Sequence, residues 1–118
     1  MAAPEQVTVI EPIVAQVAPK APVTGVEQII REAARKYGIS EDYLVKIAKC
    51  ESSLNPNAVN KGYYENGHPS GLFQHISGYY PARAQKYGYS TDVFDPYSNA
   101  NVTAAMMKDG LSYLWECS

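Results

Sequence analysis

Basic residues are scarce: 10 Lys or Arg stand against 12 Asp or Glu, giving a formal net charge of −2 at pH 7. No basic field exists to hold a phosphate backbone, which disfavours nucleic-acid binding. No apolar run approaches the roughly 20 residues needed to cross a bilayer, so the sequence contains no membrane-spanning helix. At 118 residues there is no room for a second independent core, since each half would bury too little apolar surface. Internal repeats and strong strand alternation are also missing. An export signal would need basic residues ahead of an unbroken apolar stretch, yet the first basic residue is Lys20, and Pro4 and Pro12 interrupt the apolar positions. Met1 is therefore compatible with a start placed after a removed targeting or anchoring segment.

Residues 1–24 lack glycine and aromatics but contain Pro4, Pro12, Pro19 and Pro22 among many Ala and Val. Prolines so spaced interrupt helix and sheet and favour extended backbone. The expectation is a semi-rigid linker, able to reach a protein partner or an anchor, ahead of a compact domain over 25–118. Thr24-x-x-Glu27 has the pattern of a helix N-terminal capping box, and Val26, Ile29, Ile30, Ala33, Ala34 and Tyr37 follow at helical spacing up to a stop at Gly38. Ser40 opens a second helix whose apolar positions are Tyr43, Leu44, Ile47 and Ala48. Residues 55–70, rich in Asn, Gly, Pro and Tyr, read as a long ordered loop or short hairpin, a common setting for function. Ser77 is expected to cap a short helix ending at Gly88, and Ser98 a last helix running to Leu114. The fold class is mainly α.

Leu44 and Glu51 are seven residues apart, about 20 degrees in direction on a helix of 3.6 residues per turn, so Glu51 lies on the apolar stripe. Burial there raises a carboxyl pKa because the charged form loses water, which suits a general acid at a glycosidic oxygen. The alternative is that Glu51, near the helix end, turns to solvent or pairs with Lys49 or Lys61.

The string Cys50-Glu51-Ser52-Ser53-Leu54-Asn55-Pro56-Asn57-Ala58, then Ser70-Gly71-Leu72-Phe73-Gln74, then Asp95-Pro96 with Asn99, resembles the lytic transglycosylase domain of the lysozyme-like superfamily over about Val26 to Trp115. Cys50 directly before the glutamate and Trp115-Glu116-Cys117 near the end are further similar to the compact resuscitation-promoting-factor branch. The resemblance implies a compact lysozyme-like fold, Glu51 as catalytic acid, and substrate contacts at Asn60, Gly71, Phe73 and Gln74. Asn60 stands where many members carry Ser; an Asn can still hydrogen-bond a substrate N-acetyl group. Gly71 would let a loop approach a sugar or the opposite wall closely, and glycine also serves simply for a tight turn. For Gln74 the alternative is an amide that satisfies loop carbonyls. The Ala-Tyr-Asn motif that closes the cleft in longer members is missing, so Tyr113 or a loop tyrosine would supply a hydroxyl. Among the ten tyrosines, Tyr63, Tyr64, Tyr79 and Tyr80 are the better candidates for sugar stacking.

The implied substrate is the β-1,4 bond between N-acetylmuramic acid and N-acetylglucosamine in the glycan strands of peptidoglycan. No second acid lies in a recognised motif; Glu65, Asp92 and Asp95 are the acids in loop positions. A single-acid site matches transglycosylation to a 1,6-anhydro product, whereas water-dependent hydrolysis helped by Glu65 is the competitor. A wall-binding or assembly module without activity is the reading from a different class. The two cysteines read as a Cys50–Cys117 disulfide closing a loop of about 67 residues, consistent with a secreted, periplasmic or wall-associated protein. A nucleophilic Cys50 paired with His68 or His75 is the alternative, without the residues expected around such a cysteine. The histidines and cysteines have no close metal-ligand spacing, and neither metal nor other cofactor is assigned.

Overall fold

The computed structural model describes residues 25–115 and Cys117. The linker expected over 1–24 and the Thr24 cap lie outside the described residues. Helix α1 spans Gly25–Tyr37 and α2 Glu41–Ser52, followed by β1 (Pro69–Ser70), β2 (His75–Ile76), α3 (Tyr80–Tyr87), α4 (Pro96–Lys108) and a 3₁₀ turn, Ser112–Leu114. The fold is mainly α, as expected. The strands form a two-stranded antiparallel hairpin with Pro69 opposite Ile76 and Ser70 opposite His75; an isolated bridge pairs Val59 with Ser70.

Helix boundaries follow local chemistry. Gly38, at φ +73°, ends α1, and the Ser40 hydroxyl accepts from Tyr43 N at 3.2 Å to open α2. Arg31 bridges Glu27, Glu41 and Asp42 and Arg35 meets Glu41, clamping α1 to α2 at the surface, where such pairs contribute little individually. Two expected caps are corrected. Helix α3 begins at Tyr80, with Pro81 in its first turn, so Ser77 does not cap it; the Ser77 hydroxyl instead accepts from His68 N at 3.2 Å across the hairpin. Helix α4 begins at Pro96 behind Asp95, and Ser98 sits inside it, donating from Oγ to Asp95 Oδ2 at 2.7 Å. Proline is favoured in a first helical turn because its missing N–H costs nothing there, so Pro81 and Pro96 mark these starts better than the serines. Helix α4 also stops at Lys108, short of Leu111 and Leu114.

The core gathers Ile30, Ala33 and Ala34 of α1, Leu44, Ile47 and Ala48 of α2, Leu72 and Phe73 of the hairpin turn, Tyr80 and Ala84 of α3, and Trp115 around α4. Every residue of α4 from Ser98 to Met107 is buried, so α4 is the central helix rather than a surface one. Its buried polar residues have partners. Asn99 Oδ1 accepts from Phe73 N at 3.0 Å and its Nδ2 donates to Val93 O at 2.8 Å. Thr103 Oγ1 donates to Asn99 O at 2.8 Å. Buried polar groups are tolerated on these terms.

Candidate active site

One cavity of about 530 Å³ opens between the end of α2, the hairpin, the start of α3 and the C-terminal segment. That size lies in the range of small-molecule binding sites. Glu51 lies on its wall, half-buried in the last turn of α2. The turn beyond is held in an uncommon backbone: Ser53 at φ 56° and Leu54 at φ 63° are both left-handed. Such conformations cost non-glycine residues about 1–2 kcal/mol each. Hydrogen bonds hold this turn, among them Asn55 N to Ser52 O at 3.0 Å. Ser53 N donates to Lys49 O at 2.9 Å, and the buried Ser52 hydroxyl donates to Leu72 O at 2.8 Å, tying the end of α2 to the loop that carries Gln74.

Gln74 also lines the cavity and is itself left-handed at φ 57°. Its Nε2 donates to Ala58 O at 3.1 Å and Gly71 O at 2.9 Å. Those bonds satisfy loop carbonyls and fix the amide plane, with Oε1 on the side away from them. Asn60 is on the wall as well; its Oδ1 accepts from Gly62 N at 3.0 Å and its Nδ2 donates to the Tyr64 hydroxyl at 3.0 Å. Tyr64 and Tyr79 line the cavity and are 42% and 44% exposed, enough ring surface to meet a sugar face.

The remaining expected contacts fall elsewhere. The Phe73 side chain is fully buried in the core; its contribution near the site is backbone, its carbonyl accepting from Trp115 Nε1 at 2.9 Å. Gly71 is buried at φ +80°, and a Cβ there would come within 2.3 Å of Val93 O and 2.5 Å of Asn99 Nδ2. Its closeness is to Val93 and to α4, and Gly71 is not among the residues lining the cavity. Tyr113 is 71% exposed and is absent from the wall, which its neighbours Leu114 and Trp115 line. Tyr80 is fully buried, its hydroxyl without a hydrogen-bond partner among the described residues, so it offers no stacking face. Tyr63 is wholly exposed.

Cys50 and Cys117 form a disulfide with Cα atoms 5.8 Å apart. It draws the C-terminal segment, and with it Trp115, against α2 beside Glu51, and it removes Cys50 as a nucleophile. No group of His, Cys, Asp and Glu among the described residues has the arrangement of a metal site.

Sequence patterning does not single out Arg83, which lines the cavity from α3. The available signal is weak: Arg83 is the one charged residue in Tyr80-Pro81-Ala82-Arg83-Ala84, four residues after Tyr79. Its Nη1 lies 3.0 Å from Nδ1 of the buried His75. Burial, and secondly the Arg83 charge, hold His75 neutral by lowering its pKa to about 3.

The family described as Transglycosylase SLT domain matches residues 28–115. Over 85 residues the chain is 35% identical to the membrane-bound lytic murein transglycosylase C of Cronobacter sakazakii (strain ATCC BAA-894). That match covers 67% of this chain and 22% of the longer relative. No solved structure gives a significant match.

Proposed function

The chain belongs to the transglycosylase SLT domain family, and on that premise we propose that it cleaves the β-1,4 bond between N-acetylmuramic acid and N-acetylglucosamine in peptidoglycan, with Glu51 as acid and then base. One observation carries this reading: among the described residues, Glu51 is the sole carboxylate on the cavity wall. Protonated Glu51 donates to the glycosidic oxygen as the bond to the muramyl C1 breaks and positive charge develops there. The substrate's own groups trap that charge. Glu51, now a carboxylate, takes the proton of the muramyl 6-hydroxyl, whose oxygen closes on C1 to give the 1,6-anhydro ring. Water is neither consumed nor released.

The loop acids do not favour the hydrolytic alternative. Glu65 is exposed and off the wall. Asp92 Oδ1 accepts from Phe94 N at 3.0 Å and Asp95 stands ahead of α4, so both shape turns. Gln74 Oε1, Asn60 and the rings of Tyr64 and Tyr79 are the substrate-positioning groups. The disulfide fits an oxidising compartment outside the cytoplasm, where this substrate lies.

Mass spectrometry of fragments released from purified peptidoglycan tests the proposal. Products ending in 1,6-anhydromuramic acid are expected. Reducing-end products, heavier by one water, would make the protein a hydrolase, and no soluble fragment at all would make it a wall-binding module.

A further inference from the structure

The cleavage chemistry uses Glu51 and leaves a cation on the same wall without a task. Arg83 is half-buried there, held on two sides by groups that do not neutralise it. On one side is His75. Thr103 Oγ1 lies 2.8 Å from His75 Nε2 and spends its own proton on Asn99 O, so the imidazole carries its hydrogen on Nε2. That leaves Nδ1 as the acceptor for Arg83. The edges of Tyr80 and Trp115 close round the same ring, with centroids at 5.0 and 5.5 Å. On the other side the Tyr79 ring sits 5.6 Å from the guanidinium carbon, and its hydroxyl accepts from Asn66 Nδ2 at 2.7 Å.

The ion pairs among the described residues use Arg31 and Arg35, none of them Arg83. A guanidinium has five N–H donors in a rigid fork that matches a carboxylate. Burial by itself disfavours the cation and lowers its pKa, so an anionic ligand is the natural complement. A sugar backbone of N-acetylated hexoses offers none; muramic acid adds one, as the lactyl carboxylate where no peptide is attached or as a carboxylate of the peptide amide-linked to it.

We propose that Arg83 is a specificity-determining residue that binds a carboxylate of the substrate strand, and so separates muramyl strands from neutral glycans of the same linkage. This rests on the substrate class proposed above. It assigns Glu51 and Arg83 to opposite tasks in one cavity: proton transfer, and recognition of the anion that marks the muramyl unit.

Isothermal titration of the full chain tests it, in a Glu51→Gln background so that ligands survive. Three probes of equal length distinguish the anion's source: strands with peptides, strands freed of peptide by amide cleavage and so ending in the lactyl carboxylate, and neutral N-acetylglucosamine oligomers. The charged strands are expected to bind about tenfold tighter than the neutral oligomer, the scale of one charge-assisted hydrogen-bonded pair. Arg83→Gln, which keeps an N–H donor for His75, should bring that ratio close to one, and Arg83→Lys should leave part of it. Loss confined to peptide-bearing strands identifies a peptide carboxylate, loss confined to peptide-free strands identifies the lactyl carboxylate, and loss with both shows that Arg83 takes either. A ratio near one in the Arg83-bearing protein, or a ratio untouched in a folded Arg83→Gln, overturns the assignment. Should Arg83→Gln not fold, a preference that neither added salt nor Arg83→Lys reduces overturns it equally. Charge-selective binding through Arg83 without cleavage by the unmodified protein would sustain this inference and defeat the cleavage proposal; cleavage without charge preference would do the reverse.

Discussion

On α2 the backbone satisfies itself through regular helical bonds, and Leu44, Ile47 and Ala48 bury one face while Glu51 follows on the same stripe. Across the cavity, between Asn55 and Tyr79, there is little regular structure, and scattered backbone bonds such as Gly71 N to Ala58 O and Gly78 N to Asn66 O are supplemented by side chains. Asn99 reaches Phe73 N and Val93 O, Trp115 reaches Phe73 O, and Gln74 reaches Ala58 O and Gly71 O. The proposed acid therefore stands on a wall stabilised mainly by apolar burial, whereas the proposed substrate-positioning groups stand on one held together largely by directed hydrogen bonds. Damage to the first should spread through the core. Loss of a single side-chain hydrogen bond from the second should be local and should register in function before it registers in unfolding.

The largest effect on stability is expected at the covalent link between the helix wall and the C-terminal segment, whose Trp115 reaches the loop wall. Reducing Cys50–Cys117, whose members are 67 residues apart in sequence, removes about 4 kcal/mol in the chain-entropy model. It should lower the unfolding midpoint in denaturant and weaken activity as Trp115 loosens. Next comes Gly71→Ala, which combines a left-handed φ with a Cβ inside contact distance of Val93 O; a loss of about 3 kcal/mol is expected from equilibrium unfolding. A loss under about 1 kcal/mol would show that the loop wall yields more easily than its hydrogen bonds imply.

The pH dependence sharpens the comparison further, because His75 braces the loop wall against α4. Folded, it stays neutral down to about pH 3, against an ordinary value of 6.5. The unfolded chain therefore binds more protons between those limits, and stability falls as pH drops through that window. Thermal unfolding of His75→Gln, whose amide can serve both Thr103 and Arg83, should vary less between pH 6 and 4 than that of the parent protein. The smallest effect is expected at Tyr80, whose buried hydroxyl has no partner among the described residues. Tyr80→Phe should be neutral or stabilising by up to about 1 kcal/mol, read from the same unfolding curves.

The helix wall was legible in the sequence because periodicity reports burial directly: Ile30, Ala33, Ala34, Leu44, Ile47 and Ala48 are all in the core. Glu51 could be placed on that stripe by counting. The loop wall was less legible, for physical reasons. Left-handed backbone at Ser53, Leu54 and Gln74 leaves no glycine to mark it. Phe73 sits within a motif, yet its ring turns into the core and only its backbone faces the network. Ser77 and Ser98 look like caps because serine is common at that position, but their hydroxyls serve the hairpin and Asp95. Arg83 becomes notable only once folding brings it beside His75 and into the cavity of Glu51.

The central claim is that one carboxyl group performs the chemistry, and the most direct measurement is the rate of fragment release from peptidoglycan by Glu51→Gln beside the parent protein, with thermal unfolding of both. Release is expected to fall by about 10²–10⁴-fold, the usual contribution of a general acid–base group, with an unchanged unfolding temperature. Release within a few fold of the parent by a folded Glu51→Gln protein would contradict that claim.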